Sequence, residues 1–203
     1  MRRFFSLPWV QGCVSCKRFL YEGFGRDRWQ KPEHVLSALG VRPGMAVADL
    51  GAGTGYFTVR FAEAVGPEGV VYAVDVDRAV LEYTKERAER AGHRNVRTVL
   101  ADASDPRLPP ASVDLVFVCN TYHHLKNREE YFRGVKNALR PDGILAVVEY
   151  RPRGILHRWF GHGTAPETIR RELEAAGYTL VHEFPALLPR QSFLVFRVAG
   201  RDP

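Results

Sequence analysis

The sequence predicts an α/β fold: a doubly wound, mostly parallel seven-stranded sheet with helices on both faces and an antiparallel C-terminal edge. Three observations lead there. Beyond residue 40, short β-branched runs alternate with longer stretches of helical spacing, the rhythm of parallel strands joined by crossover helices. The first run passes straight into Gly51-Ala52-Gly53-Thr54-Gly55 and then into a helical stretch, giving a strand–turn–helix order. The last two apolar runs follow one another with no helix between them, as antiparallel strands do.

Residues 45–50 form the first strand. Residues 56–65 are a helix, with Phe57, Phe61, Ala62 and Val65 at core-facing spacing. Gly66-Pro67-Glu68-Gly69 turns the chain into a second buried strand, 70–75. Asp77 caps a helix running to about residue 91, where Glu82/Glu86 and Lys85/Glu89 keep helical spacing and Gly92 stops it. The third strand covers 96–101, and Pro106, Pro109 and Pro110 make the next segment a loop. The fourth strand covers 113–118 and is followed by a polar loop, 120–127. A helix over 128–139 ends at the turn Pro141-Asp142-Gly143, which starts the fifth strand, 144–150. Residues 151–163 hold Pro152, three glycines and two histidines and read as a loop. In Thr164-Ala165-Pro166-Glu167, Thr164 is the expected N-cap, with Pro inside the first turn and Glu three residues on. That helix ends at Gly177, and residues 179–184 and 192–198 are the closing strands.

With 203 residues, 45% hydrophobic and 26% charged, the chain has the composition of an ordinary globular domain. Disordered tails, collagen-like fibres and disulfide-dense scaffolds are excluded. No apolar run approaches the roughly 20 residues of a membrane span. Three cysteines, two of them at Cys13 and Cys16, suit a reducing compartment, and Arg2-Arg3 with the broken apolar run after it is a poor imitation of a signal peptide, so a cytoplasmic location is expected. The 29 Lys+Arg against 23 Asp+Glu leave a charge of +6. That charge permits nucleic acid, an anionic membrane surface or an acidic substrate as partner without choosing among them, since no run of like charges is present. Cys13-x-x-Cys16 lacks the second pair a structural zinc site needs, so no metal is expected.

The chemistry concentrates at Asp49-Leu50-Gly51-Ala52-Gly53-Thr54-Gly55. Its glycines allow a tight turn and close ligand approach, and Asp75, at the end of the next strand, stands where a carboxylate accepts both hydroxyls of a ribose. The spacing departs from the pyrophosphate-binding G-x-G-x-x-G and from the P-loop. Together with 70–75, Leu100-Ala101-Asp102-Ala103, 113–120 and Arg140-Pro141-Asp142-Gly143, the segment resembles the class I S-adenosylmethionine-dependent methyltransferases over about residues 40–200.

The resemblance implies residue roles. Gly51, Ala52, Gly53 and Gly55 would pass beneath the methionine and ribose of S-adenosyl-L-methionine, with Asp49 near the ammonium. Asp75 would hold the ribose diol, beside Val76, and Asp102 the adenine amino group, beside Ala103; the bland alternative for Asp102 is a turn cap. Asn120 would touch the cofactor. Tyr122, His123 or His124 would accept a proton from the methyl acceptor, histidine titrating near neutral pH, or else line the pocket. Methyl transfer depends on an in-line nucleophile, so a base is optional and positioning supplies much of the rate. One domain is expected over 1–203: an N-terminal extension or lid (1–40), a cofactor-binding half (41–150) and an acceptor-side part (151–203). Aromatics and arginines between Phe4 and Trp29 suit a lid over the acceptor or an anchor on anionic lipid. The expected function is methylation of a small or lipid-like acceptor, in the broad group that contains quinone-biosynthesis and phospholipid methyltransferases. RNA or protein methylation, and cofactor binding without turnover, are the alternatives; no RNA-binding module or flipped-base motif is present.

Overall fold

The computed structural model describes residues 25–152 and 163–200. Two short helices, α1 (Arg26–Gln30) and α2 (Pro32–Ala38), precede the sheet. There follow β1 (Ala46–Leu50), α3 (Tyr56–Val65), β2 (Val70–Asp75), α4 (Arg78–Arg90), β3 (Val96–Leu100) and β4 (Val113–Cys119). A 3-10 turn at Tyr122–His124 leads to α5 (Arg128–Val135), β5 (Leu139–Tyr150), α6 (Pro166–Ala175), β6 (Tyr178–Glu183) and β7 (Gln191–Val198).

The seven strands lie in the order β3-β2-β1-β4-β5-β7-β6. β1 to β5 pair in parallel, and β7 pairs antiparallel with both β5 and β6. The α/β sheet expected from the sequence, antiparallel edge included, is the one observed. Alternation along each strand divides the core into two layers. On one face Val47, Val71, Leu115, Phe117, Ala146 and Val148 meet α2 and α3. On the other, Ala48, Leu50, Val74, Val118 and Val147 meet α5 and α6 through Phe132, Ile169 and Leu173. In the first layer Phe61 and Phe117 meet edge to face at 5.1 Å, a geometry worth about 1 kcal/mol beyond its buried area.

The strand order reverses between β1 and β4. Leu50 is in register with Val74 of β2 on one side and Val118 of β4 on the other. The carboxyl ends of three strands therefore open at one edge, at the switch point where doubly wound sheets bind ligands.

Some expectations are corrected. The cap of α6 is Ala165, not Thr164; its methyl side chain has no acceptor for a cap bond, and Pro166 stands in the first turn. α5 ends at Val135, and Arg140-Pro141-Asp142-Gly143 lies inside β5 rather than before it. The register there steps from Val113↔Leu139 to Leu115↔Ile144, so β5 absorbs these residues as an irregularity against β4. The polar loop after β4 contains the 3-10 turn. Most of the expected N-terminal lid, Cys13, Cys16, His157 and His162 lie outside the described residues. Among the described residues no helix is long and apolar enough to cross a membrane, and no group of three His, Cys, Asp or Glu is placed to hold a metal ion.

Candidate functional site

The turn after β1 is built on left-handed backbone: Gly51, Gly53 and Gly55 have φ of 76°, 54° and 77°. Gly51 and Ala52 both donate to the Val74 carbonyl, at 2.8 and 3.0 Å, which folds the turn back against β2. Close approach adds to the demand for glycine. A Cβ on Gly51 would collide with the Thr121 side chain, whose own Cβ would be 2.7 Å away; one on Gly55 would be 2.7 Å from Thr84 Cγ2. The turn thus brings its main chain within reach of the loop after β4 and of α4.

Asp75 ends β2 beside this turn. Its Oδ2 accepts the Gly53 N–H at 3.0 Å and its Oδ1 the Asp77 N–H at 3.0 Å. Burial raises its pKa, partly offset by these donors. A carboxylate has about four acceptor positions, so the group keeps acceptor capacity beyond its main-chain donors. Val76, next to it, is 63% exposed. Asp49 is 3% exposed and accepts the Thr58 hydroxyl at 2.6 Å. Desolvation pushes its pKa up to about 6, against the Thr58 hydrogen bond and the nearby Arg26 charge. Asp102 and Ala103 are exposed, on a tight bridge between Asp102 and Asp105. Arg107 holds Asp102 Oδ2 through Nε at 3.0 Å and Nη2 at 2.6 Å, the arrangement of a turn with a surface ion pair.

Beyond β4, Asn120 is left-handed (φ 53°) and accepts from Gln191 Nε2 at 2.8 Å. The three candidate proton acceptors differ sharply. Tyr122 is fully buried, stacked on Phe132, with its hydroxyl donating to Glu172 Oε2 at 2.8 Å; burial and Glu172 raise its pKa. In this arrangement the hydroxyl anchors the turn to α6. The His123 Nδ1 lies 2.9 Å from Glu149 Oε1. His124 is exposed, its ring 4.0 Å from that of His123.

A family model described as a methyltransferase domain matches residues 42–184. The chain belongs to this methyltransferase family. S-adenosylmethionine is the cofactor that the family and fold imply. Among curated relatives, the chain is 34% identical over 127 residues to the ubiquinone/menaquinone biosynthesis C-methyltransferase UbiE of Ectopseudomonas mendocina, covering 62% of this chain and 49% of that protein. It is 32% identical over 129 residues to the protein of the same name from Pasteurella multocida, covering 63% and 47%. This methyltransferase thus spans about half the length of these relatives. A solved structure titled a SAM dependent methyltransferase, from Aquifex aeolicus, superimposes with a TM-score of 0.80 at 24% identity, covering 92% of this chain and 99% of that one; at that identity the likeness is one of fold.

Several polar residues of this methyltransferase site carry no sequence signal. Gln30, fully buried on α1, donates to Cys119 Sγ at 2.9 Å and accepts from Arg26 Nε. Gln191, fully buried on β7, reaches the same sulfur at 3.9 Å, and its Oε1 meets no donor among the described residues. Burial pushes the Cys119 thiol up to about 12, so it packs as a neutral group. Trp29 stacks on Tyr150 at 5.8 Å, and the Arg190 guanidinium lies over Trp29. The Tyr56 ring is sandwiched by Arg26 and Arg60 at 3.7 and 4.1 Å, and its hydroxyl donates to Asp27, which fastens α1 beside the glycine turn. Only spacing across the whole fold brings these residues together, and glutamine leaves no periodic trace.

Proposed function

We propose that this chain transfers the methyl group of S-adenosylmethionine to a small, lipid-like acceptor with an apolar ring, of the quinone-like class suggested by the ubiquinone/menaquinone biosynthesis for which the relatives are named. The observation that carries the reading is the pairing of the left-handed glycine turn with the Asp75 carboxylate at the switch point of the sheet. In this reading Asp75 accepts the two ribose hydroxyls with the capacity its main-chain donors leave unused. Exposed Val76 lies against one face of the adenine. Gly51, Ala52, Gly53 and Gly55 give main-chain passage beneath the ribose and methionine, and Asp49 faces the ammonium. Asp102 keeps its bond to Arg107 and offers its second oxygen toward the adenine amino group.

When bound, the cofactor supplies an electrophilic methyl on a sulfonium that is already a strong leaving group. The protein's share is therefore placement. The loop at Asn120 sets one wall beside the glycine turn. Trp29 and Tyr150 offer stacked aromatic surface on the other, suited to a flat apolar ring. α1, fastened through Tyr56, covers the carboxyl edge of the sheet and limits water there. Holding the two reactants in line is the main contribution such a site makes to rate.

The test is transfer of tritiated methyl from S-adenosylmethionine into a cell extract separated into lipid, RNA, protein and small polar pools, with Asp75→Ala as blank. Label in the lipid pool above the blank is expected. Label confined to RNA or protein, toward which the +6 charge would lean, would overturn the acceptor class. Cofactor binding with no label in any pool would overturn the enzymatic reading.

A further inference from the structure

A carboxylate wholly removed from water is costly unless its oxygens are well occupied. Glu149, near the end of β5, is such a group: its side chain has no exposed surface, and that of His123 has only 8%. Main-chain donors reach both its oxygens. Oε1 accepts the Tyr150 N–H at 2.8 Å and Oε2 the His123 N–H at 3.3 Å. Oε1 also lies 2.9 Å from His123 Nδ1. With Glu149 ionised, Oε1 can only accept, which assigns the proton to Nδ1 and, in the neutral imidazole, the lone pair to Nε2, a buried atom. The turn is fixed from both sides. Tyr122 anchors it to Glu172, which Arg128 also grips at 2.7 Å through two nitrogens. Left-handed Asn120 sets its entry, and Ser192 Oγ, donating to the Glu149 carbonyl at 3.3 Å, ties the strand beneath to β7. The pair stands at the carboxyl ends of β4 and β5, on the same edge as the glycine turn, yet none of the cofactor roles above uses Glu149.

We propose that Glu149 is a positioning residue for proton removal: through His123 Nδ1 it fixes the tautomer and orientation of the ring, so that Nε2 receives the hydroxyl proton of the acceptor during methyl transfer. The inference rests on the methyl-transfer reading above. The acceptor's O–H bond breaks toward Nε2, and its electron pair stays on the acceptor. The oxygen, or a ring carbon conjugated to it, forms the new bond to the methyl carbon as the carbon–sulfur bond breaks with its pair left on sulfur. On the carbon route the hydrogen of that carbon then leaves as a proton, its bonding pair restoring the conjugated ring, and the oxygen regains a proton, so one proton in all passes to water and no oxidant or reductant enters. The acceptor class this selects is a phenol or enol, in which removal of the hydroxyl proton enriches a conjugated carbon.

The test combines a spectrum that needs no acceptor with kinetics. Chain labelled with 15N in histidine, with His123→Gln for assignment, should show His123 as the Nδ1–H tautomer above pH 8. In Glu149→Gln, where the amide can also donate to the ring, the signal should move to a mixture of tautomers. With a short-chain hydroquinone bearing a free ring carbon as acceptor, Glu149→Gln should lower kcat at least about tenfold, within the range general bases contribute. The KM for the hydroquinone and the Kd for S-adenosylmethionine should stay within about threefold, which separates lost proton transfer from a collapsed site. His123→Gln should lose as much, and the double variant no more than either alone. An Nε2–H tautomer in the wild type, an unchanged kcat in Glu149→Gln, or additive losses would each overturn the proposal. A wild-type chain that binds S-adenosylmethionine and shows the expected tautomer but methylates neither the hydroquinone nor any extract pool would overturn the methyl-transfer reading, and the proton role with it.

Discussion

Replacing Asp49 by asparagine separates what the site gives to stability from what it gives to binding. Asp49 is 3% exposed, and desolvation raises its pKa from the ordinary 3.8 to about 6. The carboxyl therefore holds its proton more tightly folded than unfolded. Its favourable contribution is complete below about pH 4 and is lost as pH rises through about 6. Two pH units correspond to about 3 kcal/mol at neutral pH and above, an upper figure for the cost of keeping this charge buried. The amide introduced by Asp49→Asn would carry no charge and could still accept the Thr58 hydroxyl. In urea unfolding of the cofactor-free chain, Asp49→Asn should be more stable than wild type by about 2 kcal/mol at pH 8 and equal within about 0.5 kcal/mol at pH 4. Cofactor affinity should move the opposite way. At pH 8 the variant should bind S-adenosylmethionine at least about tenfold more weakly, since a charged partner for the ammonium is gone. Wild-type binding at pH 6 should release a fraction of a proton, seen as a dependence of the calorimetric enthalpy on buffer ionisation. A variant that is less stable at pH 8, or a stability difference that is the same at both pH values, would refute the assignment of a strained buried charge.

Three further outcomes follow from the geometry. Gly51→Ala meets both a left-handed backbone and the Thr121 side chain, so urea unfolding should show a loss of about 2–4 kcal/mol, against about 1 kcal/mol for Gly92→Ala, where the backbone is left-handed but the space is open; equal losses would show that close approach does not matter. Asp75→Ala removes the acceptor for the Gly53 and Asp77 amides and should weaken S-adenosylmethionine binding by at least about a hundredfold in titration calorimetry while the far-ultraviolet circular dichroism stays unchanged; unchanged affinity would remove the ribose assignment. With its thiol pushed up to about 12 by burial, Cys119 should resist iodoacetamide at pH 8 for hours by site-resolved mass spectrometry, and rapid alkylation would show that the Gln30–Cys119–Gln191 cluster opens readily.

How far the sequence reaches into this fold follows from where its signals are local. Helix α3 and strand β2 match the expected 56–65 and 70–75 because glycines at 55 and 66 punctuate the chain on the spot. The Asp77 cap is equally local, its carboxylate accepting from Ala79 and Val80. Pro141 and Gly143 carry an equally clear turn signal, yet the chain stays in β5, because pairing with β4 at Leu139 and again from Ile144 brackets the irregular stretch that propensity alone would break. Helix α1 left no trace. It has only five residues and ends on left-handed Lys31, too short for periodicity to register, and it is held by Tyr56 and Cys119 from elsewhere in the chain. In the site, glycines and Asp75 were legible because a turn needs them in sequence. Gln30, Glu149 and Gln191 were not, since their meaning arises only when α1, β5 and β7 converge.

The sulfur of Cys119 has an assembly consequence. Its amide neighbours come from 89 positions earlier and 72 positions later in the chain. During vectorial synthesis the glycine turn, Asp75 and Asn120 are all made before β7 leaves the ribosome, and the sheet can grow outward from β1 as they appear. The contacts of Gln191 with Cys119 and Asn120 cannot exist until β7 pairs antiparallel with β5. A nascent chain would therefore form its glycine turn and the Asp75 contacts well before the Gln30–Cys119–Gln191 cluster, which would be among the last parts of the sheet edge to close.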